Sequence, residues 1–208
     1  GTGALVSSIF NSLDYGQILL FPDLYWGPYV GMAKNYGFQY RTFPMFAGNS
    51  FNIQGFINEA EKIFAEQQKL VFIINDPCHN PSGYTFTEAE VAAIISYLNS
   101  KSLPSMLIYD IAYLDMDFKC RKTVRQKFRL FTLAKEHLMI SICFSASKTF
   151  AVYGQRLGAQ IILGKDQASI LELYRAGKFF ARNTWSNSNR GLISLMTAFN
   201  NNQDLKDR

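Results

Sequence analysis

Lys148 stands just past the hydroxyl residues Ser145 and Ser147, with Arg156 eight places further on. Across "CFSASKTFAVYGQRLGA" (residues 143–159) these two are the charged residues, set among small, apolar and aromatic neighbours. An amine is nucleophilic only when deprotonated, so a catalytic lysine needs partial burial or a nearby cation, and this stretch offers both. The plain alternative is a lysine snorkelling at a helix start. An arginine fork grips a phosphate bidentately, better than lysine does. Ser145 and Ser147 add hydroxyl donors, and Gly1 with Thr2 open a helical stretch whose first backbone N–H groups suit an anion. Each has a bland reading too: an Arg–carboxylate bridge, serine caps, a glycine turn. Together they describe a pocket for a phosphate ester that reacts with an amine.

Pyridoxal 5′-phosphate (PLP) answers that description, because its aldehyde takes a lysine as a Schiff base. Its pyridine nitrogen must stay protonated to act as an electron sink, which calls for a buried carboxylate. Asp110, ending the apolar run "SMLIYD", is the natural choice. Tyr113, three residues on, is within reach of the cofactor's phenolic oxygen. In "HNPSG", Pro81 fixes one dihedral and Gly83 permits a positive φ, so the Asn80 amide is held in place. Trp26, in "DLYWGPY", offers a face to stack on the ring, although a core or surface tryptophan is the stronger reading for that residue alone. His79 reads either as a brace for Asp110 or as a hydrogen-bonded structural histidine.

These residues need elements to position them. Near-continuous apolar runs recur at 18–21, 70–74, 105–110, 138–145 and 159–163, the pattern of strands buried on both faces. Helical patterns alternate with them. "IQGFINEAEKIFAEQQ" sets Phe56, Ile57, Ala60, Ile63 and Phe64 on one side, "FTEAEVAAIISYLNS" opens on a Thr87 cap with Glu88 and Glu90 in its first turn, and "DQASILELYRAGKFFAR" continues the series. The expected fold class is α/β: a three-layer α/β/α sandwich on a mostly parallel sheet with right-handed crossovers. Ligands bind beyond the carboxyl ends of such strands, where Asn80, Asp110 and Ser145 to Lys148 stand.

The chain has 208 residues, 48% hydrophobic and 18% charged, enough for a substantial core in one domain. Its net charge is +5. The densest basic run, "KCRKTVRQKFR" from Lys119 to Arg129, is expected to be the solvated face of a helix rather than a nucleic-acid site. Cys78, Cys120 and Cys143 have no metal-ligand spacing, and an odd count argues against a disulfide framework. Signal and membrane-spanning patterns are absent from the sequence, so a cytoplasmic setting is the default expectation. The Gly-rich opening and the polar last residues read as a piece of a longer protein.

In order and approximate spacing, "DPCHNPSG", "IYDIAYLDMDF", "SASKTFAVYGQRLGA" and "ARNTWSNSNRG" resemble motifs of the class I, fold type I aminotransferases, nearest the aspartate and aromatic amino-acid subgroup. The resemblance runs over nearly the whole chain. It implies that Lys148 is the Schiff-base lysine and proton shuttle, that Asp110 partners the pyridine nitrogen, and that Tyr113 and Asn80 hold the phenolic oxygen. It further implies a phosphate cradle of Ser145, Arg156, Thr2 and the Gly1 amide, and a stacking Trp26 that, with Asn80, also lines the substrate's place. In the family's homodimer an arginine from the partner subunit reads the substrate's side-chain carboxylate. Arg182 occupies that position, with Ser186 near the partner's phosphate. The implied reaction is transamination between an amino acid, aspartate or glutamate or an aromatic one, and a 2-oxo acid. A C–S lyase or decarboxylase on the same scaffold, or a non-catalytic PLP-binding regulatory domain, are the alternatives. Tyr29 departs from the pattern, standing where a histidine supporting Asp110 is expected. Family members are roughly twice this length. Residues 1–208 are therefore expected to be the large cofactor-binding domain without its N-terminal segment and C-terminal small domain, inactive or weakly active alone.

Overall fold

Each of the five apolar runs of the sequence is a strand, and with one further strand they form a six-stranded sheet. The computed structural model describes residues 1–118 and 121–203. From the start, α1 (Thr2–Phe10), β1 (Ile18–Pro22), α2 (Pro28–Asn35) and β2 (Gln39–Phe43) lead to a small hairpin, β3 (Phe46–Ala47) and β4 (Ser50–Phe51). Next come α3 (Ile53–Gln67), β5 (Leu70–Asn75), α4 (Glu88–Ser100) and β6 (Ser105–Asp110). Helix α5 (Arg121–Gln126) runs into a 3-10 helix, Lys127–Leu133, ahead of β7 (Leu138–Ser145) and the short α6 (Ala146–Thr149). β8 (Gly158–Leu163), α7 (Gln167–Thr184) and α8 (Arg190–Asn201) follow.

The sheet order is β2-β1-β5-β6-β7-β8, parallel throughout except for antiparallel β8 on β7. β5 and β6 are buried at every residue, as strands covered on both faces must be. Side chains alternate between two cores. Leu20, Phe72, Leu107 and Ile140 pack with Phe56 and Ile63 of α3 and Ile94 of α4. Leu19, Val71, Ile108 and Cys143 pack with Leu5 and Ile9 of α1, Met32 of α2 and Leu173 of α7. This is the three-layer α/β/α sandwich the alternation of patterns implies. Thr87 caps α4 in a full capping box with Glu90, and Asn52 and Asp166 cap α3 and α7.

Two departures have physical reasons. β2 carries no apolar run because it is an edge strand whose residues are mostly exposed or half-buried. The basic stretch is not a simple solvated face: the Lys127 side chain is buried against Asp76, while Arg125 and Arg129 pair with Asp115 and Glu88. Lys119 and Cys120 lie outside the described residues. Among the described residues no helix is long and apolar enough to cross a membrane.

Candidate active site

The parallel register brings Asn75 beside Asp110 and Asp110 beside Cys143, so Ser145 stands two residues further out on β7. At roughly 3.3 Å per residue, this staggers the strand ends into one wall of a cleft. The cleft has a volume of about 180 Å³ and gathers Asp110, Tyr113, Asn80, Trp26, Ser145, Lys148 and Arg156, with Gly1 and Thr2 at one end. Nine of the sequence-derived candidates thus meet in one place.

Asp110 forms the floor. It is buried, with Oδ2 accepting from the Tyr29 hydroxyl at 2.7 Å and Oδ1 from the Ala112 amide at 3.1 Å. Burial pushes its carboxyl above the ordinary carboxylate range, and those two hydrogen bonds pull the other way. Burial also raises the Tyr29 phenol well above its usual value, so Tyr29 stays a neutral donor. The Tyr29 ring meets the Trp26 indole edge-on, 5.7 Å between centroids. The carboxylate and the candidate stacking ring are therefore fixed by one residue of α2.

His79 does not brace Asp110. Its Nδ1 pairs with Ser82 Oγ at 2.8 Å and its ring hydrogen-bonds the Leu24 backbone, while burial lowers its pKa to about 4. The histidine is a neutral strut of the 79–83 turn, and Tyr29 takes the bracing position. Asn80 projects from that turn, its Nδ2 donating to Tyr113 Oη at 3.4 Å. Its backbone amide donates to Asn75 Oδ1 at 2.7 Å, and Asn75 Nδ2 donates to the Asp110 carbonyl at 2.9 Å. Asn75 went unrecognised in the sequence, where its one signal was an amide closing an otherwise apolar strand.

Lys148 lies on α6 with its ammonium 5.6 Å from the Tyr113 ring centroid and 5.0 Å from that of Tyr153. Tyr153 also carries the Arg156 guanidinium over its ring at 5.2 Å, and its carbonyl accepts from Arg156 Nη1 at 2.6 Å. Arg156 Nη1 lies 3.4 Å from Ser147 Oγ. Tyr153, missed in the sequence, is thus an aromatic ring that both cations lie over.

The fit to a phosphate is tested by the glycines. A Cβ on Gly1 would stand 2.7 Å from Ser145 Cβ, and one on Gly158 would stand 2.0 Å from the Gly1 nitrogen. Absent side chains at both positions seat the N-terminus of α1 against the end of β7, beside Arg156. First-turn amides, two serine hydroxyls and a guanidinium then converge on one spot, as a dianionic phosphate requires. The amine, the buried carboxylate and the Asn–Tyr pair line the same cleft, so the donor set is of the kind PLP would take.

Arg182 and Ser186 are not brought into this cleft. Both are exposed at the end of α7, and Arg182 Nη1 donates to Ser186 Oγ at 2.8 Å.

Known proteins resemble this chain in sequence and fold. The family described as aminotransferase class I and II matches residues 1–208. The mitochondrial aspartate aminotransferase of Schizosaccharomyces pombe is 22% identical over 90% of this chain and 42% of its own length. The aromatic-amino-acid aminotransferase of Pseudomonas aeruginosa is 23% identical over 99% of this chain and 50% of its own. Among solved structures, an aminotransferase from Anaerococcus prevotii superposes with a TM-score of 0.94 at 29% identity, covering 99% of this chain and 51% of that one. An aromatic-amino-acid aminotransferase of Burkholderia pseudomallei, covalently bound to pyridoxal phosphate, shares the fold with a TM-score of 0.83 at 21% identity, over 99% and 51% of the two chains. The chain spans about half the length of the relatives it matches. With the whole chain matched, it belongs to the aminotransferase class I and II family.

Proposed function

We propose that residues 1–208 are the large, PLP-binding domain of an aminotransferase that exchanges the amino group of an amino acid with a 2-oxo acid in a ping-pong cycle. The observation that carries this is the meeting of Lys148, Asp110, Asn80, Tyr113 and Arg156 in one cleft. Bound there, PLP supplies the electron sink for the substrate's α-carbon. The chain's own residues do the rest. Arg156, Ser145, Thr2 and the α1 amides hold the phosphate. The ionised Asp110 keeps the pyridine nitrogen protonated, aligned by Tyr29. Asn80 and Tyr113 hydrogen-bond the phenolic oxygen, and Trp26 covers the ring. The Lys148 amine would hold the cofactor and would move the proton of the substrate's α-carbon.

For the substrate, Arg182 favours a side-chain carboxylate, read from the partner subunit of a homodimer, since a dicarboxylate in a closed site needs a fixed cation. Aspartate or glutamate is thus the preferred amino acid, with an aromatic one the second choice.

The test is borohydride reduction of the protein with PLP, followed by peptide mapping. We expect label on Lys148 alone, none in Lys148→Ala, and a loss of about 10³-fold or more in kcat/KM for that variant of the full-length protein. Label scattered over surface lysines would sink the assignment.

A further inference from the structure

Behind the cleft lies a buried ion pair that the proposed reaction does not use. Asp76 and Lys127 are almost wholly buried, with Lys127 Nζ 2.5 Å from Asp76 Oδ2. The carboxylate also accepts from the Tyr109 hydroxyl and, through Oδ1, from the Phe86 amide at 2.8 Å. The ammonium donates as well to the Phe86 carbonyl at 2.8 Å. Asp76 and Phe86 are the two feet of the loop that carries Asn80. Between them the loop is laddered: Cys78 N to Thr85 Oγ1 at 3.1 Å, His79 N to the Tyr84 carbonyl at 2.7 Å, Gly83 N to the His79 carbonyl at 2.6 Å. The Asp76 amide also donates to the Asp110 carbonyl at 3.0 Å.

A buried ion pair costs desolvation, and an apolar pair of like volume often stabilises as well or better, so stability alone is a weak reason for this one. What the pair does that an apolar pair does not is bond both feet of one loop at fixed points and tie them to the strand bearing Asp110. We propose that Asp76 and Lys127 are positioning residues, a clasp that closes the 76–86 loop and so fixes the Asn80 amide against Tyr113 in the cleft. The inference rests on the PLP reading only for its consequence in the cofactor, so the test has two arms.

In the cofactor-free full-length protein, Lys127→Met should speed amide exchange at His79 and Gly83 by about tenfold or more beyond any acceleration of central β5 amides such as Phe72, which report global stability. Equal acceleration everywhere, or none, would overturn the clasp. With PLP bound, Asn80 favours the anionic phenolic oxygen, so its loss raises the pH midpoint of the cofactor's visible absorption. Asn80→Ala and Lys127→Met should each raise it by about half a unit, roughly a threefold change in the equilibrium, and the double variant should go no further. Lys127→Arg should restore the native midpoint. Additive shifts, or a lowered Tm with an unmoved midpoint, would show a merely structural pair. If Lys127→Met does not fold, Asp76→Asn with Lys127→Met removes both charges and is read in the same two arms. A wild-type protein that takes up no PLP would defeat the proposed function, while amide exchange would still decide the clasp.

Discussion

Asp110 carries an electrostatic conflict that a bound pyridinium would resolve. It is buried and ends an apolar strand, and burial raises its carboxyl above the ordinary 3.8. Because the folded chain holds that proton to higher pH than the unfolded chain does, the cofactor-free protein loses stability as pH rises through the window above 3.8. Asparagine keeps both contacts: its oxygen accepts from Ala112, and its amide donates to the Tyr29 hydroxyl, which can turn to accept. We expect Asp110→Asn to flatten this pH dependence. At pH 7 it should stabilise the cofactor-free protein by roughly 1 kcal/mol, or about 2–4 °C in Tm, while PLP binding weakens. Thermal melts of both forms across pH would check it. Tyr29→Phe isolates the brace: the Trp26 contact survives, the hydrogen bond to Asp110 goes, and the Kd for PLP should rise about tenfold or more. At this scale the sequence was legible where a residue's type is unusual for its place, as with Lys148, Asp110 and Arg156. It was opaque where the role depends on what faces the side chain. His79 and Tyr29 illustrate this, since nothing in the order of residues says which of the two reaches Asp110.

The elements were legible where burial on both faces leaves an uninterrupted apolar run, as in β5 and β6, and where a cap marks the first turn, as at Thr87. The edge strand β2 gave no such signal because half of it faces water, and Lys127 misled because a basic run normally marks a solvated surface. A subtler dependence lies in how α1 meets the sheet. Gly158 begins β8 opposite Ser145, and the α1 N-terminus lies where its side chain would be. Gly158→Ala places a methyl against backbone atoms, the Gly1 nitrogen and the Phe144 carbonyl, which cannot swing aside as a side-chain tip can. We expect it to cost about 1–3 kcal/mol by overpacking and to push α1 away from Ser145, opening the phosphate cradle. The diagnostic measurement compares PLP with pyridoxal, which lacks the phosphate. Affinity for PLP should fall well below native while affinity for pyridoxal changes little. An equal fall for both would mean that the damage is general.

At the scale of the whole molecule, the placement of Arg182 decides what a complete active site requires. The side chain is exposed at the end of α7, held by Ser186, and lines no part of the cleft that holds Lys148. If Arg182 reads a substrate carboxylate, it does so in the cleft of another copy, and each site is then shared between two subunits. Full-length subunits bearing Lys148→Ala and subunits bearing Arg182→Ala should each be poor on aspartate when assembled alone. Mixed after dissociation, they form hybrids in which one site takes both lesions and the other takes neither. Random pairing makes about half the dimers hybrid, so aspartate turnover should recover to about a quarter of native. Mixing that restores nothing would place Arg182 outside the partner's site, and the preference for a dicarboxylic substrate would lose its physical basis. Recovery near a quarter would show that the 208 residues supply parts of two sites at once, with the cation for the side chain and the amine for the chemistry in different clefts. No run of residues displays that division, because it follows from which surface a second copy covers.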